Sequence, residues 1–241
     1  MLDALVIAPH PDDAELGAAG VILKLQQEGK RVGVLDLTSG EPTPHGSLEI
    51  RARETAAATK VLGLEWRENL GLPNRSLEAT LENRAKLAAV FRRVKPTWLF
   101  APYWEDAHPD HVAATKLIED ARFWSKLTKT DHLDELMGPG QMALPGEPHH
   151  PSRVYYYYCV HLKLAPQPAF VLDISDVWEK KIESIRCYES QFAAGKPTAS
   201  PTFYDRLRDE AAYWGKCIGT AYGEPITTRE PLGLGKLGGL V

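Results

Sequence analysis

Ala4-Leu-Val-Ile-Ala-Pro-His-Pro-Asp-Asp-Ala-Glu-Leu-Gly17 contains an apolar run, a polar turn and the start of a helical pattern. The unbroken run Ala4–Ala8 suits a strand covered on both faces. After the loop His10–Glu15, apolar positions recur at Leu16, Ala19 and Ile22/Leu23, reach Gln26 and end at Gly29. The same strand-loop-helix unit then repeats. Val32–Thr38 reads as a second buried strand, followed by the Gly/Pro loop Ser39–Ser47 and a helix with Ile50, Ala57/Ala58 and Val61/Leu62 on one face. A third helix is predicted over roughly Leu77–Val94, stopping at Lys95-Pro96. Trp98–Ala101 reads as a strand, Pro102–His111 as its loop, and about Val112 to Trp124 as a helix.

Strands alternating with helices predict right-handed crossovers, hence an α/β fold with a Rossmann-like, mainly parallel sheet and helices on both faces. In such sheets functional residues gather beyond the carboxyl ends of the strands. The stretch Lys126–Arg153 turns polar and rich in Pro, Gly and His, and reads as a long insertion with lid, interface and mobile-loop roles all open. Val154–His161 and Phe170–Ile174 are expected as strands, Trp178–Phe192 and Tyr204–Ile218 as helices, and Gly223–Val241 as an irregular tail. No Ser/Gly linker divides the 241 residues, so one domain is expected over 1–241.

Composition removes several function classes. With 44% hydrophobic and 25% charged residues, the chain is neither disordered nor fibrous. A formal charge of −4 provides no chain-wide positive field for nucleic acid or an anionic membrane. Cys159, Cys187 and Cys217 form no C-x-x-C pair, which argues against a disulfide framework or thiolate zinc site and fits a reducing, cytoplasmic setting. Met1–Ala4 has no basic region of the signal-peptide kind, and no run reaches the roughly 18 apolar residues of a membrane span.

The chemistry is concentrated in His10-Pro-Asp-Asp13 and His108-Pro-Asp-His111. Each motif follows a predicted parallel strand and precedes a helix, so both project from one sheet edge and can meet. His10, Asp13 and a histidine of the second loop would supply two imidazoles and a carboxylate. That set holds one zinc, or another divalent transition metal, and leaves a position open for water. Spacing does not decide between His108 and His111 as the third ligand. Asp12 is the candidate base; the unliganded histidine, when protonated, could stabilise an oxyanion and protonate a leaving amine, with Asp110 tuning it. Either loop alone reads equally well as a turn with an acidic helix cap at Asp12 or Asp13. Two such loops on strand ends are harder to explain as caps.

Further stretches extend the pattern: Asp36-Leu-Thr-Ser-Gly-Glu41, Arg51-x-x-Glu54 before Leu62-Gly63, Glu68-Asn-Leu-Gly-Leu-Pro73 and Phe100-Ala-Pro102. With the two His-Pro-Asp loops they resemble the LmbE/PIG-L family of zinc-dependent N-acetylglucosamine deacetylases. Tyr155–Tyr158, Phe170–Ser175 and Tyr188–Phe192 are similar to the branch that includes bacillithiol-biosynthesis deacetylases. The resemblance implies His10, Asp13 and His111 as ligands, Asp12 as base, a charged His108 at the oxyanion and Asp110 orienting His108. It also implies Arg51 as a residue binding substrate hydroxyls, with Glu41 and Asn74 at the same rim, and a homo-oligomer, often a hexamer.

Simpler readings stand beside these. Arg51 could pair with Glu54 one helical turn on, and Asn74 could be a turn residue after Pro73. Lys126–Arg153 is longer than the branch's usual connection and falls where a loop could shape the substrate mouth. Its His132, His149 and His150 read as solvated, and Tyr155–Tyr158 as strand packing. The expectation is a cytoplasmic zinc enzyme that removes acetate from an N-acetylglucosaminyl conjugate, such as a bacillithiol precursor, with no nucleic-acid or membrane partner. The rival is a non-catalytic nucleotide- or carbohydrate-binding module. For a dinucleotide, however, the first turn lacks G-x-G-x-x-G and would aim carboxylates at the pyrophosphate.

Overall fold

The structure, a computed structural model, describes residues 1–130, 144–159, 161 and 167–233. In chain order the elements are β1 (Ala4–Ala8), α1 (Asp13–Gln27), β2 (Val32–Thr38), α2 (Leu48–Leu62), β3 (Trp66–Leu72), α3 (Leu81–Val94) and β4 (Trp98–Pro102). Next come α4 (Pro109–Ser125), β5 (Arg153–Tyr157), β6 (Phe170–Asp173), α5 (Trp178–Arg186), α6 (Glu189–Phe192), α7 (Phe203–Ile218) and β7 (Gly223–Thr227). The strands form one sheet in the order β3-β2-β1-β4-β5-β7-β6. Strands β1 to β5 run parallel, and β7 lies antiparallel between β5 and β6.

All of β1 is buried because it lies inside the sheet with apolar layers on both faces. Ala4, Val6 and Ala8 join one core with residues of α1, α5 and α7. Leu5 and Ile7 point the other way, into a core built with α3 and α4. This alternation of side chains follows from the two-residue period of a strand. Gly17 lets α1 approach β5: a Cβ there would stand 2.2 Å from the Tyr157 ring. The tyrosines behave as packing residues. Tyr155 stacks on Phe100, Tyr157 is fully buried and donates to the Ile7 carbonyl, and Tyr156 donates to Glu119 from the opposite face.

Several elements differ from the sequence reading. Strand β3 carries Arg67, Glu68 and Asn69, so it lacks the apolar run that marked the other strands; its Arg67 is paired inside the fold with Asp36 and Glu15. Gly223–Thr227 is a strand and not the start of an irregular tail. Its Glu224 faces inward, accepts the N–H groups of Gly20 and Val21 in mid-α1, and pairs with the buried Lys181, which also donates to the Leu16 carbonyl. The segment Trp178–Phe192 is two helices, broken at Cys187 and Tyr188. Helix α4 begins at Pro109 and not at Val112, which places Asp110 and His111 in its first turn.

The insertion is described only at its two ends. Arg92 gathers them by donating to the carbonyls of Ser125, Leu127, Leu144 and Gly146. These ends leave α4 and enter β5, at the amino edge of the parallel strands, so they lie away from the edge where a substrate mouth was expected. His149 binds the Pro96 carbonyl at that far edge, and His132 lies outside the described residues.

Glu224→Ala is expected to destabilise the fold by about 3–5 kcal/mol, because it leaves the Lys181 charge buried without its partner. The double substitution Glu224→Leu with Lys181→Met should recover part of the loss. Urea unfolding curves of the variants measure both effects.

Candidate metal centre and active site

The strand order reverses between β1 and β4, whose crossovers leave in opposite directions and open a crevice at their carboxyl ends. The two His-Pro-Asp loops leave these two adjacent strands. In the first, Thr38 at the end of β2 donates through its N–H and hydroxyl to the Pro9 carbonyl. Asp12 then takes φ 118°, a left-handed conformation that a residue with a side chain adopts only at a cost in strain. It precedes α1 but makes no side-chain cap bond, so the acidic-cap reading fails for Asp12. Asp13 does hold the turn, since its Oδ2 accepts the His10 N–H at 3.0 Å.

In the second loop His108 is the N-cap of α4, and its Nδ1 accepts the Asp110 N–H at 3.2 Å. The loops converge: the ring of His10 lies 4.8 Å from that of His108 and 5.4 Å from that of His111. His10, Asp13 and His111 offer donor atoms within 4.8 Å of one another. So do His10, His108 and Asp110, and a third set is Asp106, His111 and Cys159.

The first set fits a divalent ion best. Both ring nitrogens of His111 are buried without a hydrogen-bond partner among the described residues, although Asp13 Oδ2 lies off-axis at 3.3 Å from Nε2. A buried imidazole left in this state beside a carboxylate has the donor chemistry of a metal ligand. In the second set Asp110 is otherwise engaged, accepting the N–H groups of Arg75 at 2.7 Å and Leu77 at 3.2 Å.

That placement corrects one expectation. The Asp110 carboxylate lies 3.1 Å from His10 Nε2, and Asp110 touches His108 only through its backbone N–H. The same hydrogen bond bears on the His108 proton. Burial, together with His111 and His10, pulls His108 below its ordinary pKa, and an Nδ1 that accepts a hydrogen bond leaves the proton on Nε2. Burial and the neighbouring Asp13 push the Asp12 carboxyl up to about 8 against the pull of Arg51, a value suited to a base near neutral pH. Asp13 is buried as well, yet His111 and His10 hold it well below the usual carboxylate range.

Arg51 is buried and does not meet Glu54, which accepts from the Ser190 backbone and hydroxyl. It bridges the loops instead, donating to Asp12 Oδ2 at 2.9 Å, Glu41 Oε1 at 3.1 Å and the Pro11 carbonyl at 2.5 Å. Glu41 is also held by the N–H and hydroxyl of Thr43, and Asn74 donates to the Glu41 carbonyl. Arg51 and Asn74 line a cavity of about 400 Å³ together with His10, Asp12, His108 and His111. Glu41 is not among the residues that line this cavity, although its neighbours Gly40 and Thr43 are.

The sequence reading missed other walls of the cavity. His161, Gln191, Phe192, Lys196 and Phe203 close it from the second half of the chain. The His161 ring lies 5.8 Å from His108 and 5.7 Å from His111. Its signal was its position just beyond the carboxyl end of β5, on the same edge as the two motifs. The phenylalanines, from α6 and the first residue of α7, stack face to face at 4.6 Å.

Comparison with known proteins matches this architecture. Residues 5–122 match the PIG-L family, described as GlcNAc-PI de-N-acetylase. The chain is 31% identical over 236 residues to diacetylchitobiose deacetylase of Thermococcus kodakarensis, covering 92% of this chain and 81% of that one. It is 27% identical over 202 residues to 4-oxalmesaconate hydratase of Pseudomonas putida, covering 78% and 73%. The crystal structure of the conserved protein TT1542 from Thermus thermophilus aligns with a TM-score of 0.84 and 36% identity over 97% of each chain. The chain belongs to the PIG-L/LmbE family of de-N-acetylases. Among the described residues no helix is long and apolar enough to cross a membrane.

Arg51→Met removes the cation shared by Asp12 and Glu41 and is expected to lower the unfolding free energy by about 3–5 kcal/mol. Arg51→Lys should restore only part of it, because an ammonium cannot reproduce the planar fork that reaches two carboxylates and a carbonyl. Denaturant titration of both variants reads the difference.

Proposed function

We propose that this protein is a metal-dependent hydrolase that removes acetate from an N-acetylglucosaminyl conjugate, of the kind represented by bacillithiol precursors. One observation carries the reading. Donor atoms of His10, Asp13 and His111 converge beside the strained, high-pKa Asp12 on the wall of a 400 Å³ cavity, in a chain of the de-N-acetylase family. A divalent ion held by His10, Asp13 and His111, zinc or another transition metal, would supply Lewis acidity and lower the pKa of water to roughly 7.

The chain's own groups do the rest. Asp12, fixed by Arg51 at 2.9 Å, takes a proton from the water as its oxygen bonds to the acetyl carbon. His108 keeps its proton on Nε2, which leaves that N–H free to donate to the carbonyl oxygen as it gains charge. The proton taken by Asp12 then passes to the amide nitrogen, the C–N bond breaks, and the products are a free amine and acetic acid, which ionises to acetate by releasing the second proton of the water. Asp110 holds His10 and the backbone at Arg75 and Leu77, so it ties the metal side of the site to the rim. Arg51 and Asn74 face the cavity where sugar hydroxyls would lie. The family resemblance also supports a homo-oligomeric, cytoplasmic enzyme.

The test is acetate release from a panel of N-acetylglucosaminyl conjugates and diacetylchitobiose, with bound zinc measured alongside. Asp12→Ala should lose about 10²–10⁴-fold in turnover while retaining stoichiometric zinc. Asp13→Ala should lose the zinc itself. Undiminished deacetylation by Asp12→Ala would falsify the assigned roles. Hydration of 4-oxalmesaconate with no acetate released from any conjugate would place the chain with its hydratase relative.

A further inference from the structure

Asp106 stands two residues before His108, outside both His-Pro-Asp motifs, and has no part in the roles above. Its side chain is only 1% exposed. Oδ1 accepts the His108 N–H at 2.7 Å, and Oδ2 lies 3.2 Å from His111 Nδ1. The approach to Nδ1 is off the N–H axis, so it is a close contact and not a completed hydrogen bond. On the opposite side of the same ring, Nε2 lies 3.3 Å from Asp13 Oδ2, where the donor atoms of His10, Asp13 and His111 converge.

An imidazole that binds a metal through Nε2 carries its proton on Nδ1, and a buried Nδ1–H needs an acceptor. Two groups lie near enough to serve: Asp106 and the buried Cys159. A carboxylate is much the stronger acceptor, whereas a thiol sulfur is a weak one. We propose that Asp106 is a positioning residue that receives Nδ1–H of His111, fixes the tautomer and angle of that ring, and thereby sets the metal affinity of the site. This rests on the reading of His10, Asp13 and His111 as ligands.

The two oxygens of Asp106 serve separable purposes. Oδ1 anchors the loop through His108, and Oδ2 addresses His111. Asp106→Asn retains one oxygen for the anchor and turns an NH₂ donor toward the Nδ1–H donor, so it keeps the loop while opposing the tautomer. In chelator competition, Asp106→Asn and Asp106→Ala are expected to bind zinc about 10–100-fold more weakly than the unmodified protein. Metal-free Asp106→Asn should melt close to the unmodified protein, and nitrogen-15 spectra of the His111 ring should show loss of the Nδ1–H tautomer. Cys159→Ala should keep full affinity.

Unchanged zinc affinity and an unchanged His111 tautomer in Asp106→Asn overturn the proposal. So does an affinity loss that follows a lowered melting temperature of the metal-free variant, or a larger loss in Cys159→Ala than in Asp106→Asn. If the unmodified protein binds no zinc, or His111→Ala binds it equally well, the ligand reading falls first and this proposal falls with it.

Discussion

The pairing of β1 with β4 is the constraint on which the site depends. Ala4, Leu5 and Val6 lie in register with Trp98, Leu99 and Phe100, and the strand order reverses at this pair. Because the helices that follow lie on opposite faces of the sheet, the loops leaving Ala8 and Pro102 have no helix between them. Residues far apart in sequence therefore meet: His10 comes within 3.1 Å of Asp110, and Asp13 within 3.3 Å of His111. Few other positions on a parallel sheet bring two loops this close without a further element to bridge them.

Buried charge then fixes the crevice in place. Arg51 joins α2 to the first loop through Asp12 and Glu41, while Arg67 joins β3 to β2 and α1 through Asp36 and Glu15. Tyr188, just before α6, donates to the same Glu15. Lys181 and Glu224 reach into the middle of α1 from α5 and β7. Helix α1, which starts with Asp13, is thus held from several sides by buried pairs. Such pairs add little net stability over apolar residues of the same shape, but a broken one is costly, so they favour one arrangement over its neighbours. A site whose donors must stay within a few ångströms of one another benefits from that selectivity.

The legible parts of the sequence were those where one property dominates. Ala4–Ala8 and Trp98–Ala101 read as buried strands because their apolar runs have no competing pattern, and both motifs followed them. Strand β3 and strand β7 were hidden because their inward residues, Arg67 and Glu224, are charged and only the folded chain supplies their partners. The start of α4 was hidden because His108 is a cap through its ring nitrogen, a role its residue type does not advertise. Arg51 offered a nearby Glu54 at helical spacing, yet the tertiary partners Asp12 and Glu41 prevailed. His161 and Asp106 were missed for different reasons: one lies on a strand end without a motif, and the other lies within a loop already read for its histidines.

In the proposed reading, two strand-end loops build one metal site from His10, Asp13 and His111. Zinc-edge anomalous diffraction from crystals of the zinc-loaded protein tests it most directly. One peak per chain is expected, within bonding distance of His10, Asp13 and His111 and facing the cavity beside Asp12. A peak among Asp106, His111 and Cys159, one held by His108 and Asp110, or no peak in the crevice would contradict it.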